Sequence, residues 1–454
     1  MGRVLYTSSA LSSCDSKKLM PNKQSTNNTS KDRPFAPFRS PKSDRAGAVV
    51  ADITEQISSY EEHFKPRKRA RRVTDQAIFE RTISAVVCDL IHRHLEQSGG
   101  KVAVSLSHRV LGKKGRYRSP ALGKRLPDYL KYMASPEMGF VKLVKGSRKF
   151  IQFGEDSFTY DSQLTTLEAG PRLIKHIEEH ELDFEDLSRS DDEEVIILKA
   201  PKKGHKDNGE LIDYEDTEDT NRYRVQIKEI NRWLEEADID LMQFVGEPNV
   251  DTTARQLCRI FNNGSFTEGG RLWGGFWMNL SKMKRRDDLL INGENIIELD
   301  YGQMALRLLY GKVGTPIPDG DLYRIPGLEA YRDGVKKVIN SALYADKPQS
   351  RMPQGTRQHF GNHTSYNQVL SAIRQHHAPI AEHLFCGIGM ELQFLESEVT
   401  VFLLQSLNEK GITALPLHDG VFIPKSVKDE AIKTMEWSFK QVTGVEGQVK
   451  VDYE

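Results

Sequence analysis

Apolar residues recur along this chain with two periods, one helical and one alternating. Ala77, Phe79, Ile83, Val86, Val87, Leu90 and Ile91 fall on one face of a helix. The segment LGKRLPDYLKYMA predicts a second helix, and GFVKLVKGSRKFIQFG predicts two strands turning at Gly146. Further on, VIILK (Val195 to Lys199) reads as a strand, and Asn221 to Ala237 as a helix with Ile227, Ile230, Trp233 and Leu234 inward. In IIELDYGQMALRLLYG, Ile296, Ile297 and Leu299 predict a buried strand, while Met304, Leu306, Leu308 and Leu309 fit a helical face. GITALPLHDGVFIPK predicts a hairpin with His418, Asp419 and Gly420 at its tip. The run GMELQFLESEVTVFLLQSLNEKG predicts a core helix, and Ser371 to Phe385 a helix broken at Pro379. Helices and short strands in this order give an α+β class.

With 454 residues there is enough chain for two or three cores. Lysine plus arginine equals aspartate plus glutamate at 64 each, so net charge names no partner, but the distribution does. Lys101 to Lys149 holds 13 basic against 2 acidic residues, KPRKRARR (Lys65 to Arg72) adds six more, and acid gathers in DDEE (Asp191 to Glu194) and ELIDYEDTED (Glu210 to Asp219). Residues 1–74 are poor in apolar residues and are expected to be a disordered basic tail. Residues 75–160, helices followed by a basic hairpin, suggest a winged-helix-like nucleic-acid-binding domain. Residues 161–250 are expected to form a linker or thumb-like region. Cys14, Cys88, Cys258 and Cys386 form no CxxC pair, there is no secretory signal and no long apolar run. A cytoplasmic location is expected, nucleoid-associated for a bacterial source, neither secreted nor in a membrane.

Asp300 sits at a strand-to-helix junction, where a half-buried acid requires a cationic partner. Asp419, at the hairpin tip, is a second strand-end carboxylate. Two such groups from distant segments suit a pair of Mg²⁺ ions about 3.5–4 Å apart. In AYRDGVKKVINSALYAD, Arg332, Lys336, Asn340 and Tyr344 lie at i, i+4, i+8 and i+12, along one drifting helical stripe. Cations near a helix start oppose its dipole, and a triphosphate would give them a purpose. His359, His363, His376, His377 and His383 have no cysteine near them and are assigned packing or polar roles.

These motifs carry a resemblance. DYGQMALR (Asp300 to Arg307) resembles the first palm motif of family A DNA polymerases, DYSQIELR, and Arg332-x3-Lys336-x7-Tyr344 is similar to the fingers-helix motif that they share with the single-subunit RNA polymerases of phages and mitochondria. His418-Asp419 matches their third motif, HDE or HDS, and GGRLWGGFWMNLSK (Gly269 to Lys282) resembles their TGRLSS…PNLQN segment. The four occur in family order over residues 251–454. The resemblance implies a polymerase palm, an antiparallel sheet with helices, and a reduced fingers region. It implies Asp300 and Asp419 as the catalytic residues and the ligands of two Mg²⁺, with Mn²⁺ as an alternative. Arg332, Lys336, Tyr344, Ala305 and Asn340 would meet the nucleotide, and Arg271 and His418 the nucleic acid. On the predicted core helix, Gln393 and Glu398 either face the primer or serve packing alone. Template, primer and nucleoside triphosphates are the implied partners, with accessory replication proteins beside them.

Four positions depart from the pattern. Ala305 replaces the glutamate that crowds the sugar 2′ position, which implies tolerance of ribonucleotides. Asn340 replaces an aromatic or apolar residue, Gly420 an acid or serine, and Ala345 a glycine. The alternative expectation is a catalytically inactive nucleic-acid-binding replication or regulatory protein. A metal-dependent nuclease using the same acids would have no need of the cationic stripe.

Overall fold

The computed structural model describes residues 32–65, 69–96, 99–152, 158–204, 207–244 and 250–453. The first 31 residues, and part of the basic run at 65–72, lie outside these. The described chain is α+β, with several separate sheets, and builds two hydrophobic cores. No described helix is long and apolar enough to cross a membrane.

The first core begins earlier than expected. It contains β1 (Arg33–Pro34), β2 (Arg39–Pro41) and a 21-residue helix, α1 (Asp44–Phe64). Residues 33–64 were expected within a disordered tail, and this is a correction. Ala46, Val49, Val50, Ile53 and Ile57 form a sparse but strictly helical apolar stripe, fully sequestered against the rest of the core. Ser43 caps the helix, its Oγ accepting from the Ala46 amide at 3.2 Å. Averaging over the polar residues around it hides such a stripe.

After α1 come α2 (Val73–Leu95), β3 (Val102–Val104), α3 (His108–Leu111), α4 (Leu126–Met133), β4 (Val141–Val144), the hairpin β5 (Arg148–Gln152) and β6 (Phe158–Ser162), β7 (Thr165–Ala169), α5 (Pro171–Glu179) and β8 (Leu187–Arg189). The sheet order is β1-β3-β7-β4, with β7 antiparallel to both β3 and β4. β2 pairs with β8. The first unit therefore runs to about residue 190, past the expected boundary at 160, because β7 is its central strand and local pattern does not reveal long-range pairing.

The second core gathers β9 (Ile196–Leu198), α6 (Glu218–Glu236), β10 (Ile239–Leu241), β11 (Leu257–Phe261), β12 (Gly269–Gly274), α7 (Lys282–Asp288), β13 (Leu289–Ile291), β14 (Glu294–Tyr301), α8 (Met304–Val313), α9 (Arg332–Tyr344), α10 (Tyr366–His376), α11 (Gly389–Glu409), β15 (Leu415–Leu417), β16 (Gly420–Pro424), α12 (Lys428–Thr443) and β17 (Val449–Tyr453). Its main sheet runs β10-β13-β14-β16-β15, with β17 also on β14. Ile297 and Leu299 of β14 are wholly buried between the layers. A three-stranded sheet, β12-β11-β9, packs beside α11.

Buried charge holds that second sheet to α11. Arg259 is fully buried, with Nε donating to Gly270 O at 3.0 Å and Nη2 to Ser397 Oγ and Glu398 Oε1, both at 2.6 Å. The rings of Tyr223 and Phe261 lie 4.6 and 5.0 Å from its guanidinium carbon. Of the two roles open to Glu398, the structural one is seen: it is this arginine's counter-charge.

Acidic and basic tracts of the sequence meet between the two units. Arg116 pairs with Glu194 and Asp216, both at 2.9 Å, and lies over the Tyr214 ring. Arg39 and His92 both reach Asp251, at 3.3 and 2.9 Å. Part of the basic excess of the first unit is thus neutralised internally, while Lys113, Lys114, Lys124, Lys142 and Lys145 remain exposed.

Candidate active site

β14 delivers Asp300 to one end of the main sheet. The chain then turns through Gly302 and Gln303, which adopts a left-handed conformation (φ 59°) at the start of α8. Two contacts hold this costly conformation: Gln303 Oε1 accepts from the Leu322 amide at 3.1 Å, and Nε2 donates to Gln448 at 3.3 Å. The β15–β16 hairpin brings in Asp419. Its two-residue turn has positive φ at His418 (56°), the position where such turns favour glycine. Asp300 is paired with Gly420, and the Tyr301 amide donates to Asp419 O at 3.2 Å. Asp300 thus stands near the end of a strand and Asp419 in a hairpin turn, each close to a residue of positive φ.

β17 adds a third acid. Its register on β14 shifts between Glu298, opposite Tyr453, and Leu299, opposite Val451, which leaves Asp452 without a partner in the ladder. Such a bulge re-aims a side chain, and the carboxylates of Glu298, Asp300 and Asp452 place oxygens within 4.8 Å of one another. Burial, reinforced by the charges of Asp419, Glu298 and Asp452, pushes the Asp300 carboxyl up to about 7. Burial likewise raises Glu298, which Lys282 opposes. Glu298 Oε2 is buried without a hydrogen-bond partner, and the Lys282 ammonium, in contact with Asp452, stands 3.9 Å from it.

Helix α9 forms the facing wall. Val335, Val338, Ile339, Ala342 and Leu343 enter the core, which leaves Arg332, Lys336, Asn340 and Tyr344 on the edge toward the acids. Arg332 is engaged by Asp321 and Asp333, which hold its charge in place. The exposed Lys336 has its ammonium 5.9 Å from the Tyr323 ring. Tyr344 is 45% exposed, and its hydroxyl accepts from Gln393 Nε2 at 2.9 Å.

Of the residues singled out by sequence, Asp300, Asp419, Ala305, Arg332, Lys336, Asn340, Tyr344 and Arg271 line one cavity of about 330 Å³, and Gln393 joins them. Arg271 is already spoken for: Glu396, buried on α11, takes its Nε and Nη2 at 2.5 and 2.9 Å. His418 is not among the lining residues; its ring meets the Trp273 ring edge-on, with centroids 5.9 Å apart. Burial, and then the Arg271 charge, lowers its pKa. His377 is buried between Tyr310 and the Leu322 carbonyl, each at 2.9 Å, and burial holds it near 4, a neutral packing group.

Asp452, Glu298 and Glu396 were missed in the sequence. Glu298 shares a strand face with Asp300 at i−2, a legible signal. Asp452 and Glu396 depend on long-range register and helix packing.

No protein-family model matches the chain, and no curated protein matches it. Among solved structures, the POL domain of Pol1 from M. smegmatis, in complex with DNA primer-template and dNTP, is similar at a TM-score of 0.27 and 13% identity, over 90% of this chain and 81% of that one. That likeness is too low to define a shared fold.

Proposed function

We propose that this protein is a template-directed nucleotidyltransferase that adds nucleotides to a nucleic-acid strand and accepts ribonucleotides. One observation carries the reading: carboxylates from two strands and a hairpin turn, and a helix edge bearing two cations and an aromatic ring, line the same cavity. In this reading the second unit is a polymerase-type palm, α9 a reduced fingers element, and α6 a thumb-like support.

The donor set fits divalent cations. It is made of hard carboxylate oxygens, it includes the unsatisfied Glu298 Oε2, and burial together with the neighbouring acids raises Asp300 to about 7, a cost that a cation would relieve. Asp300 and Asp419 would hold two Mg²⁺ or Mn²⁺, with Asp452 in reach, and the ions would supply activation of a hydroxyl and charge neutralisation at the phosphate.

The chain's own groups do the rest. Arg332 exchanges Asp321 for phosphate oxygens, a bidentate match that its planar fork favours. Lys336 adds a point charge beside it. Tyr344 packs on base or sugar, Asn340 offers an amide beside it, and Ala305 leaves room for a 2′-hydroxyl. Arg271, braced by Glu396, presents its remaining edge toward the strand, and His418 steadies the turn that carries Asp419. Little covalent help is needed for phosphoryl transfer, so positioning and charge suffice.

The first unit is read as a winged-helix-like nucleic-acid binder. Support comes from its order of helix, strand and two helices, followed by β4 and β7 of the β1-β3-β7-β4 sheet with the separate β5–β6 hairpin between them. Tethered to the palm, it would raise the local concentration of template. The test is incubation of the full chain with a defined template, labelled rNTPs or dNTPs, and Mg²⁺ or Mn²⁺. Complementary, metal-dependent product is expected. Nucleic-acid binding without any product would make this a non-catalytic binder.

A further inference from the structure

A second cleft, of about 870 Å³, adjoins the catalytic cavity, and the two share Arg271 and Gln393. Lys199 and Lys202, just after β9, form one side, and Arg271 and Trp273, alternate residues on the same face of β12, form another. Trp273 is 46% exposed, an unusual position for a large ring that gains by burial. Its ring makes a T-shaped contact with His418, the residue before Asp419, so the indole stands beside the hairpin turn. Arg271 is paired with Glu396, so the cleft's cationic excess comes from Lys199 and Lys202 against Asp346.

A flat exposed ring flanked by ammonium groups matches a polyanion with aromatic bases. Single-stranded nucleic acid is held in this way, its bases stacked on aromatic side chains and its phosphates met by lysines. We propose that the template strand lies unpaired along this cleft as it approaches Asp300 and Asp419, with Trp273 stacked on one of its bases and Lys199 and Lys202 facing its phosphates. The proposal rests on the nucleotidyltransferase reading and adds the path of its nucleic-acid partner.

The test uses the full chain carrying Asp419→Ala, so that binding is read apart from turnover. A single-stranded oligonucleotide is titrated while tryptophan fluorescence is followed, and a blunt duplex of the same sequence serves as comparison. Quenching by the single strand is expected. Trp273→Phe should keep the affinity within about two-fold, by retaining an aromatic face, but lose most of the quenching. Trp273→Ala should weaken binding roughly ten-fold, the loss of one stack. Lys199→Ala with Lys202→Ala should reduce the salt dependence by about 1.4 in log–log slope. Unchanged affinity in Trp273→Ala, quenching that persists in Trp273→Phe, or tighter binding of the duplex would overturn the proposal. Should the wild-type chain incorporate nucleotides while Trp273→Ala binds like its parent, only the cleft assignment fails. Quenching that depends on Trp273, with no incorporation by the wild type, leaves the cleft and removes the enzyme.

Discussion

Asp300 and Gly420 face each other across β14 and β16 so closely that a methyl group on Gly420 would stand 1.9 Å from Asp300 Oδ1 and 2.8 Å from the Leu299 carbonyl oxygen. The backbone at Gly420 is not left-handed, so the requirement is one of space. Gly420→Ala is expected to push the Asp300 carboxylate aside. Stability should fall by about 1–3 kcal/mol from overpacking. Incorporation should fall roughly a hundred-fold, since an ångström of misplacement suffices for that. Denaturant unfolding and single-nucleotide addition measure the two effects.

The carboxyl of Asp300, raised to about 7, gives a pH dependence with a definite sign. Its folded-state pKa lies above its unfolded value of about 3.9. The stabilisation it contributes is complete below that unfolded value and is lost as pH rises through about 7. In metal-free protein, Asp300→Asn should therefore gain on the wild type between about pH 4 and pH 7, then level off. Urea midpoints across that range check this. Because a cation requires the ionised carboxylate, the Mg²⁺ concentration needed for half-maximal activity should drop as pH rises from 6 to 8.

Why part of the site was visible in the sequence, and part not, follows from where each residue's position is decided. Asp300 and Asp419 stand at strand ends marked by local alternation, and the Arg332–Tyr344 stripe needs only helical spacing, so all of these are set within a dozen residues. Asp452 reaches the site through a bulge in a strand paired across about 150 residues of sequence. Glu396 reads as one of several polar residues on α11 until its salt bridge with Arg271 is seen. Helix α1 failed for another reason: five small or branched apolar residues at helical spacing were outweighed by the composition of residues 1–74.

Asp251 ties the two units together. Burial disfavours its charge, but the contacts with His92 and the Arg39 charge win and hold its carboxyl below the usual range. A depressed carboxylate contributes stability above its unfolded pKa and loses it as pH falls. Asp251→Asn is expected to cost about 2 kcal/mol near neutrality, less than a fully buried pair because the side chain is partly exposed. That cost should shrink below about pH 4. Limited proteolysis between residues 190 and 250 would report the loosened docking.

Sugar selection gives a test confined to one side chain. Ala305 lines the cavity at the start of α8, and in the proposed reading its methyl group would leave space beside a nucleotide. Ala305→Glu is expected to lower the use of rNTPs relative to dNTPs roughly ten- to hundred-fold, the range that one added steric contact yields. Competition between the two nucleotide types in one reaction measures the ratio directly.

The most direct test of the central claim is single-turnover addition of the template-specified nucleotide, comparing wild type with Asp300→Asn and Asp419→Ala at saturating Mg²⁺. The convergent carboxylates predict templated addition by the wild type and a loss of roughly a thousand-fold or more in each variant, with folding and nucleic-acid binding retained. Addition at wild-type rates in either variant, or no addition by the wild type under any metal and nucleotide, would contradict it.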